Sequence, residues 1–451
     1  MHFIGIDIGT SSICGIVYDF LHQTAESINV ANESAIDSGK PWEKIQDPAW
    51  IITCVEQIIK KFESKYHDIK GIGITGQMHG IVYVDNNGDA VSPLYTWQDG
   101  RGNLVLNSNT TYAEFLSEKT GYNLSTGYGL VTHFYNIKNA MVPAGAVKLC
   151  SIMDYAVMKL AGRKTPLPDY TNAAGFGFFN LEENHFDLSA LESVDVDTSI
   201  LPEISESASL AGYYNATVPV YSAIGDNQSS FIGSVRDREK SIHVTVGTSS
   251  QLSVYTSDFV KIDTLDTRPF PGGGYILVGA ALAGGQSLAV LQSFFDSVIT
   301  LSNSPAIKAA DFYEMMNAIE FKKKDQSALS VATLFNGSRA DPLARGDISN
   351  ISATNFTAEN LILGFMRGIC DEVYNFYKAI PYELKKDKDI LIGSGNAIKK
   401  NALLCKVLEE TFNCGVVKSQ CDEDAAFGAC IAAVVAGKYA PDFSAIPKSK
   451  V

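Results

Sequence analysis

Two stretches of this 451-residue chain carry the same four residues. Gly9 to Ser12 does so in "IDIGTSSICGIVYD", and Gly247 to Ser250 in "VTVGTSSQLSVYT". A Gly-Thr-Ser-Ser turn offers backbone N–H groups and hydroxyls together. Glycine lets the backbone approach a ligand closely, and successive N–H groups make a concavity that binds anions. Each turn therefore suits phosphate oxygens, and a pair facing each other could grip a polyphosphate from both sides. Hairpin-turn chemistry alone explains a single copy; two copies in matching strand contexts favour phosphate. No G-x-x-x-x-G-K-[ST] loop occurs, so this is not a Walker A site.

Asp7 stands two residues before the first turn. A carboxylate beside a phosphate suits Mg2+, often through water; the alternative is an ordinary polar residue at a strand end. Transfer of a phosphoryl group to an alcohol also needs an acceptor for the hydroxyl proton, with alignment and charge neutralisation as the rest of the work. Asp226, in "AIGDNQSSF", lies where a strand hands over to a helix. Such an Asp is either a helix N-cap or, in a cleft, both cap and base. Two further stretches suit a polyol. "TGQMHG" supplies Gln77, Met78 and His79, and "TWQDGR" supplies Trp97, Gln98, Asp99 and Arg101. Sugars want planar hydrogen-bonding groups and an aromatic face, and a site that pairs each hydroxyl rejects analogues lacking it. Taken singly, His79 reads as a structural histidine and Trp97 as core; one hairpin joins the two stretches.

The elements that position these residues follow from periodicity. "HFIGIDIG" alternates apolar residues with Gly and Asp and reads as a strand, with "CGIVYDF" its hairpin mate. "PAWIITCVEQIIKKFESKY" sets Ile51, Val55, Ile58, Ile59 and Phe62 at helical spacing. Lys70–Gly76 and Gly80–Trp97 read as strands around an Asn-Asn-Gly turn, and Thr217–Asp226 as a further strand ending at the acid. After the charged stretch Arg236–Ser241 the pattern restarts with "IHVTVGTSSQLSVYT". A helix at "AENLILGFMRGICDEVYNFYKAI", a strand, Gly turn and helix start at "DILIGSGNAIKKN", and helices at "NALLCKVLEETF" and "EDAAFGACIAAVVAG" follow. The same opening in both halves predicts two related α/β domains, 1–236 and 237–451, with the ligand cleft between them.

The bulk numbers agree with a two-domain soluble chain. Hydrophobic residues make up 46% and charged residues 19%, close to an average globular protein. A net charge of −14 argues against nucleic acid or an anionic membrane as partner. The N-terminal "MHFIGIDIG" has no basic region or long apolar run. Eight scattered cysteines without a C-x-x-C pair predict reduced thiols, a cytoplasmic location and no structural zinc.

Taken in order, "GIDIGTSS", "GITGQMHG", "TWQDGR", "GDNQSS", "VGTSS", "ALAGG", "GSGNAIKKN" and "DEDAAFGACIAA" resemble the FGGY family of carbohydrate kinases over nearly the whole chain. Within that family "GQMHG" with "TWQDGR", and "GSGNAIKKN", are most similar to the sedoheptulokinase branch, with xylulokinases next. The resemblance implies an actin-like, ribonuclease-H-like fold in each domain, with ATP and sugar in the cleft. It implies that Asp226 is the general base and that Asp7, with Asp226, holds Mg2+. Thr10, Ser11 and Ser12 would meet the phosphates from the first domain, and Gly247 and Thr248 from the second. Gln77, Met78, His79, Trp97, Asp99, Arg101, Asp226 and Asn227 would line the sugar site; Gly284, Gly285, Gly395, Asn396 and Asn401 would border the nucleotide. Asn396 departs from the small Ala of many relatives. The expected partners are ATP and a small sugar, with a homodimer left open. The expected reaction is phosphorylation of a ketose, sedoheptulose first, xylulose or another ketose or polyol next. The rival of another class is an actin-like ATPase or sugar sensor without kinase activity.

Overall fold

The computed structural model describes residues 1–446 except 108, 302–308, 338–340 and 342. The chain divides into two compact units. The first takes Met1–Arg236, Arg268–Gly274 and the C-terminal stretch from Glu423. The second takes Asp237–Thr267 and Tyr275–Asp422.

The first unit is built on a 6-stranded sheet in the order Leu210–Tyr214, Val218–Tyr221, Ile69–Gly76, His2–Ile8, Ser12–Asp19, Thr24–Ala31. His2–Ile8, Ser12–Asp19 and Thr24–Ala31 form an antiparallel meander, and Ile69–Gly76 then pairs parallel to His2–Ile8. The second unit repeats the plan. Its sheet runs Asp266–Pro269, Tyr275–Ala281, Ser250–Thr256, Ser241–Val246, Ile390–Ser394, Val416–Lys418. Here too an antiparallel meander centred on the Gly-Thr-Ser hairpin is extended by parallel strands. Both ends of a parallel run need crossover helices, and the helices Pro48–Lys65 and Ala358–Ala379 serve the first crossover of each unit.

The helix Pro48–Lys65 forms where the spacing predicts it. Asp47 caps it by accepting from the N–H groups of Ala49 and Trp50, and Pro48 takes the first position. Ile51, Val55, Ile58, Ile59 and Phe62 are buried. They pack with Ile4, Ile6, Ile8, Ile72 and Ile74 into the core of the first unit.

Two expectations are corrected. Gly80–Trp97 gives only the short strands Val82–Val84 and Leu94–Tyr95. Pro93 has no N–H to give, and the Ser92 hydroxyl takes the N–H of Tyr83, so the ladder breaks there. Tyr95 keeps a single antiparallel bridge to Ile81, and Leu94–Tyr95 pairs on its other edge with Ile45–Gln46. Asp226 is the first residue of the helix Asp226–Ser234 rather than its cap, which is Gly225. A Cβ at 225 would stand 2.4 Å from Gln228 Oε1 and 2.9 Å from Met78 Sδ. A side chain there would displace the ends of Gln228 and Met78.

The helix carrying Asp226 is clamped by the C-terminal helix Asp424–Ala436 of the same unit. Their backbones touch: a Cβ at Gly428 would lie 1.8 Å from Ser229 O, and one at Gly233 2.0 Å from Asp424 O. Small residues in "DAAFGACIAAVVA" allow that approach. The second unit has its own core, with Val244, Val246, Leu252, Leu277, Leu391, Ile398 and Phe365 among its members. None of the helices among the described residues is long and apolar enough to cross a membrane.

Candidate active site

The two hairpin turns share an electrostatic design. In the first unit, Asn32 Nδ2 donates to Gly9 O at 2.8 Å, Gln46 Nε2 to Thr10 O at 2.9 Å, and Asn32 N to Ser11 O at 2.9 Å. In the second, Gly285 N donates to Gly247 O at 2.8 Å, Gln286 N to Thr248 O at 3.0 Å, and Gly247 N to Ser249 O at 2.9 Å. Every carbonyl of each Gly-Thr-Ser turn is thus occupied by a donor. The negative ends of the turn dipoles are neutralised, and the side left for a ligand is the one with hydroxyls and N–H groups. That favours an anion. Ser11, Thr248 and Ser249 are exposed.

This arrangement reassigns Gly284 and Gly285. The first N–H groups of the helix Gly285–Leu301 are spent on the turn, so these glycines support it. A Cβ at 284 would lie 2.4 Å from Ser249 C, and one at 285 would lie 2.4 Å from Gly247 O.

Asp7 is half-buried beside the first turn and pairs in parallel register with Thr75. Burial, then the charges of Asp226 and Glu423, push its carboxyl up to about 7. Burial also raises Asp226, against the opposing Arg268 guanidinium and the N–H of Asn227. Asp226 Oδ1 accepts from Asn227 N at 2.7 Å, and Asn227 Oδ1 is buried without a partner. Arg268 enters through the segment Arg268–Gly274. Gln228 Nε2 donates to Pro269 O at 2.9 Å, the Tyr170 hydroxyl donates to Phe270 O at 2.8 Å, and Phe270 meets Phe231 edge-on.

The polyol stretches meet Thr10. Trp97 Nε1 donates to Thr10 Oγ1 at 2.9 Å, and Gln77 Nε2 donates to Gln46 Oε1 at 2.8 Å. Gln77 N is bonded to Ile8 O, next to the turn. Trp97 is 46% exposed, so it presents a ring face rather than filling core. His79 sits at φ 72, its Nδ1 2.7 Å from Gly175 O and its ring edge-on to Tyr128. With the proton on Nδ1, Nε2 is the acceptor. Met78 is buried, its sulfur packed at Gly225 and 3.8 Å from Arg268 Nη1. A cavity of about 530 Å³ adjoins Thr10 and Gln46, with Lys40, Lys44 and Gln98 on its wall.

Asp99 and Arg101 are not on this surface. Both are fully buried. Arg101 Nε donates to Asp99 Oδ1 at 2.7 Å, Nη1 to Asn136 at 2.6 Å, Nη2 to Glu43 at 3.1 Å, and the guanidinium stacks on Tyr95. The pair braces the loop that carries Trp97; a guanidinium needs this many partners to be buried at all. Asn401 is likewise buried. Its Oδ1 caps the helix Ala402–Phe412 at Leu404 N and its amide faces Met316 Sδ, so both ends of the side chain are engaged within the second unit. Asn396 is exposed, one residue after Gly395 at the start of the helix Asn396–Lys400.

The structure adds Gln46 and Asn32 at the first turn and Arg268 and Glu423 around the two carboxylates. Gln46 had one usable signal, a polar residue just before the Asp47-Pro48 helix start. Arg268 had none, because its place depends on a loop folded back onto Phe231. Among the described residues no three His, Cys, Asp or Glu side chains gather as a ready-made metal site.

A two-unit α/β protein has twin hairpins whose carbonyls are engaged by donors, a carboxylate at a helix start and an exposed Trp bonded to the first hairpin. The chain belongs to the FGGY family of carbohydrate kinases: the model of the family's N-terminal domain matches residues 2–233 and that of its C-terminal domain residues 242–437. It is 27% identical to a sedoheptulokinase of Mus musculus, over 95% of this chain and 96% of that one. It is 23% identical to a xylulose kinase of Lactococcus lactis, over 100% of this chain and 91% of that one. The fold matches a crystal structure of xylulose kinase from Rhodospirillum rubrum with a TM-score of 0.84 at 18% identity, covering 100% of this chain and 92% of that one.

Proposed function

We propose that the protein transfers the γ-phosphoryl group of ATP to the terminal hydroxyl of a ketose, sedoheptulose first among candidates, giving sedoheptulose 7-phosphate and ADP. The first unit holds the sugar and the base; the second supplies the nucleotide's other contacts at Gly247, Thr248, Gly395 and Asn396. The carrying observation is the neighbourhood of Asp226. A half-buried carboxylate opens a helix, has Oδ1 held by Asn227 N, and shares its unit with a donor-faced turn and an exposed Trp97. The similarity to a sedoheptulokinase along nearly the full chain supports the choice of sugar.

The sugar oxygen attacks the γ-phosphorus, the bond from that phosphorus to the β,γ-bridging oxygen breaks, and ADP leaves. The hydroxyl proton passes to Asp226, whose raised proton affinity suits it to receive one. Trp97 takes the C–H face of the sugar; His79 Nε2, Gln77 and Asn227 Oδ1 read hydroxyls. The oxygen donors Asp7 and Asp226 fit Mg2+, which supplies neutralisation of phosphate charge when bound. Thr10, Ser11 and Ser12 donate to the same phosphates.

The test is turnover on a panel of ketoses and polyols. The expected result is the highest kcat/KM on sedoheptulose. D-xylulose well above sedoheptulose would transfer the assignment to a xylulokinase, and ATP hydrolysis with no acceptor would return it to a simple ATPase.

A further inference from the structure

The two hairpins are equivalent in sequence and in sheet position, and the equivalence extends to what stands behind them. Asp7 lies two residues before Gly9 and is in parallel register with Thr75. In the second unit the same position is Thr245, two residues before Gly247, in parallel register with Ser394. The carboxylate of the first hairpin is therefore replaced by a neutral hydroxyl in the second. Thr245 is half-buried. Thr245 Oγ1 is 2.7 Å from Ser394 Oγ, which is 2.8 Å from His243 Nε2; the Thr245–His243 distance is 3.4 Å. Ser394 and His243 are buried.

We infer that Thr245 is a phosphate-binding residue of the second unit, its hydroxyl donating to the β- or γ-phosphate of the nucleotide, and that Ser394 and His243 are positioning residues that aim that hydroxyl outward. The inference rests on the kinase reading above. In this relay His243 Nε2–H donates to Ser394 Oγ, and the Ser394 hydroxyl donates to Thr245 Oγ1. The Thr245 proton is then left for the ligand. A proton on Nδ1 of His243 would reverse the relay and turn lone pairs outward, against a phosphate. Burial pushes His243 down to about 4, so the imidazole is neutral and carries one N–H, which the relay requires to be on Nε2. The chemistry also explains the asymmetry. A carboxylate facing a polyphosphate needs a cation between them, as at Asp7, whereas a hydroxyl donor meets the phosphate directly.

The test is calorimetric binding of the ATP analogue AMP-PNP and of AMP to the full chain, with steady-state kinetics beside it. Thr245→Val should weaken AMP-PNP about tenfold, as for loss of one hydrogen bond to a charged group, and leave AMP and the KM for sugar unchanged. Thr245→Ser should restore AMP-PNP binding. Ser394→Ala should weaken AMP-PNP in the same sense, by a smaller factor. If Val at 245 prevents folding, His243 decides. Gln there places an amide N–H near the Nε2 position and should retain AMP-PNP affinity, while Asn reaches only the Nδ1 position and should lose it. Wild-type affinity for AMP-PNP in Thr245→Val, equal weakening of AMP and AMP-PNP, or identical behaviour of the two His243 variants would overturn the assignment. A wild-type protein that binds no AMP-PNP would overturn the kinase reading and this one together.

Discussion

At the scale of single residues, the first unit holds more negative charge than it can neutralise alone. Asp7, Asp226 and Glu423 share a neighbourhood in which Arg268 is the opposing charge on Asp226. The cost has a pH signature. With its carboxyl at about 7 when folded, against an ordinary 3.8, Asp7 binds a proton more tightly in the native state. Its favourable contribution is full below the unfolded value and is lost as pH rises through 7. Asp7→Asn removes that loss. The ligand-free variant should match the wild type near pH 4 and exceed it at pH 8, by on the order of 1 kcal/mol after discounting for the open side of the residue. Urea melts at both pH values would show it; a variant less stable at pH 8 would contradict the origin given for the shift. The same variant should lose turnover. Asp226→Asn should cut kcat by about a thousandfold while AMP-PNP still binds. Retained turnover would exclude Asp226 as the proton acceptor.

At the scale of elements, the site depends on backbones in contact. The hairpins, the helix Pro48–Lys65 and the repeat were legible in sequence because each is local: strand alternation, a cap followed by helical spacing, a turn used twice. Trp97 and Asp226 are proposed from the same kind of local signal, as they stand beside a turn and a strand end. Arg101 and Asn401 lie buried among protein partners, which sequence does not reveal because a polar residue in a motif looks alike whether it faces a ligand or satisfies buried partners. Of the ring around Arg101, Asp99 and Tyr95 are neighbours in sequence, but Asn136 and Glu43 come from segments far away in the chain. The helix of Asp226 is a further case, since its position is set by Gly233 and Gly428. Gly428→Ala puts a methyl 1.8 Å from Ser229 O, so one helix must retreat. The expected cost is about 2 kcal/mol, with a fall in kcat because Asp226 moves with its helix. Gly415→Ala, where a Cβ meets nothing within 4 Å, is the control and should change neither. Thermal melts and kcat of the two variants separate a packing effect from a general intolerance of alanine.

At the scale of the whole molecule, the family's N-terminal model ends at residue 233, yet the first unit is incomplete there. Its sheet is covered by the helix Asp424–Ala436, whose Phe427, Ile431 and Val434 are fully buried and whose Phe427 meets Tyr18 edge-on at 5.2 Å. The segment Arg268–Gly274 adds the Phe270–Phe231 contact and the bonds to Gln228 and Tyr170. Nearly half the chain separates residue 236 from that helix, so the last part of the first unit to be synthesised follows all of the second. Full burial of side chains such as Phe427 and Ile431 contributes about 1.5–3 kcal/mol each, comparable in sum to the whole stability of a domain. A fragment of residues 1–236 should therefore fail to reach a cooperative native state. Joining residues 423–446 to it through a flexible linker should recover a sigmoidal melt and protected amides along His2–Ile8 and Ile69–Gly76. A fragment 1–236 that melts cooperatively by itself would mean that the covering helix is a late addition to a finished unit rather than part of its core.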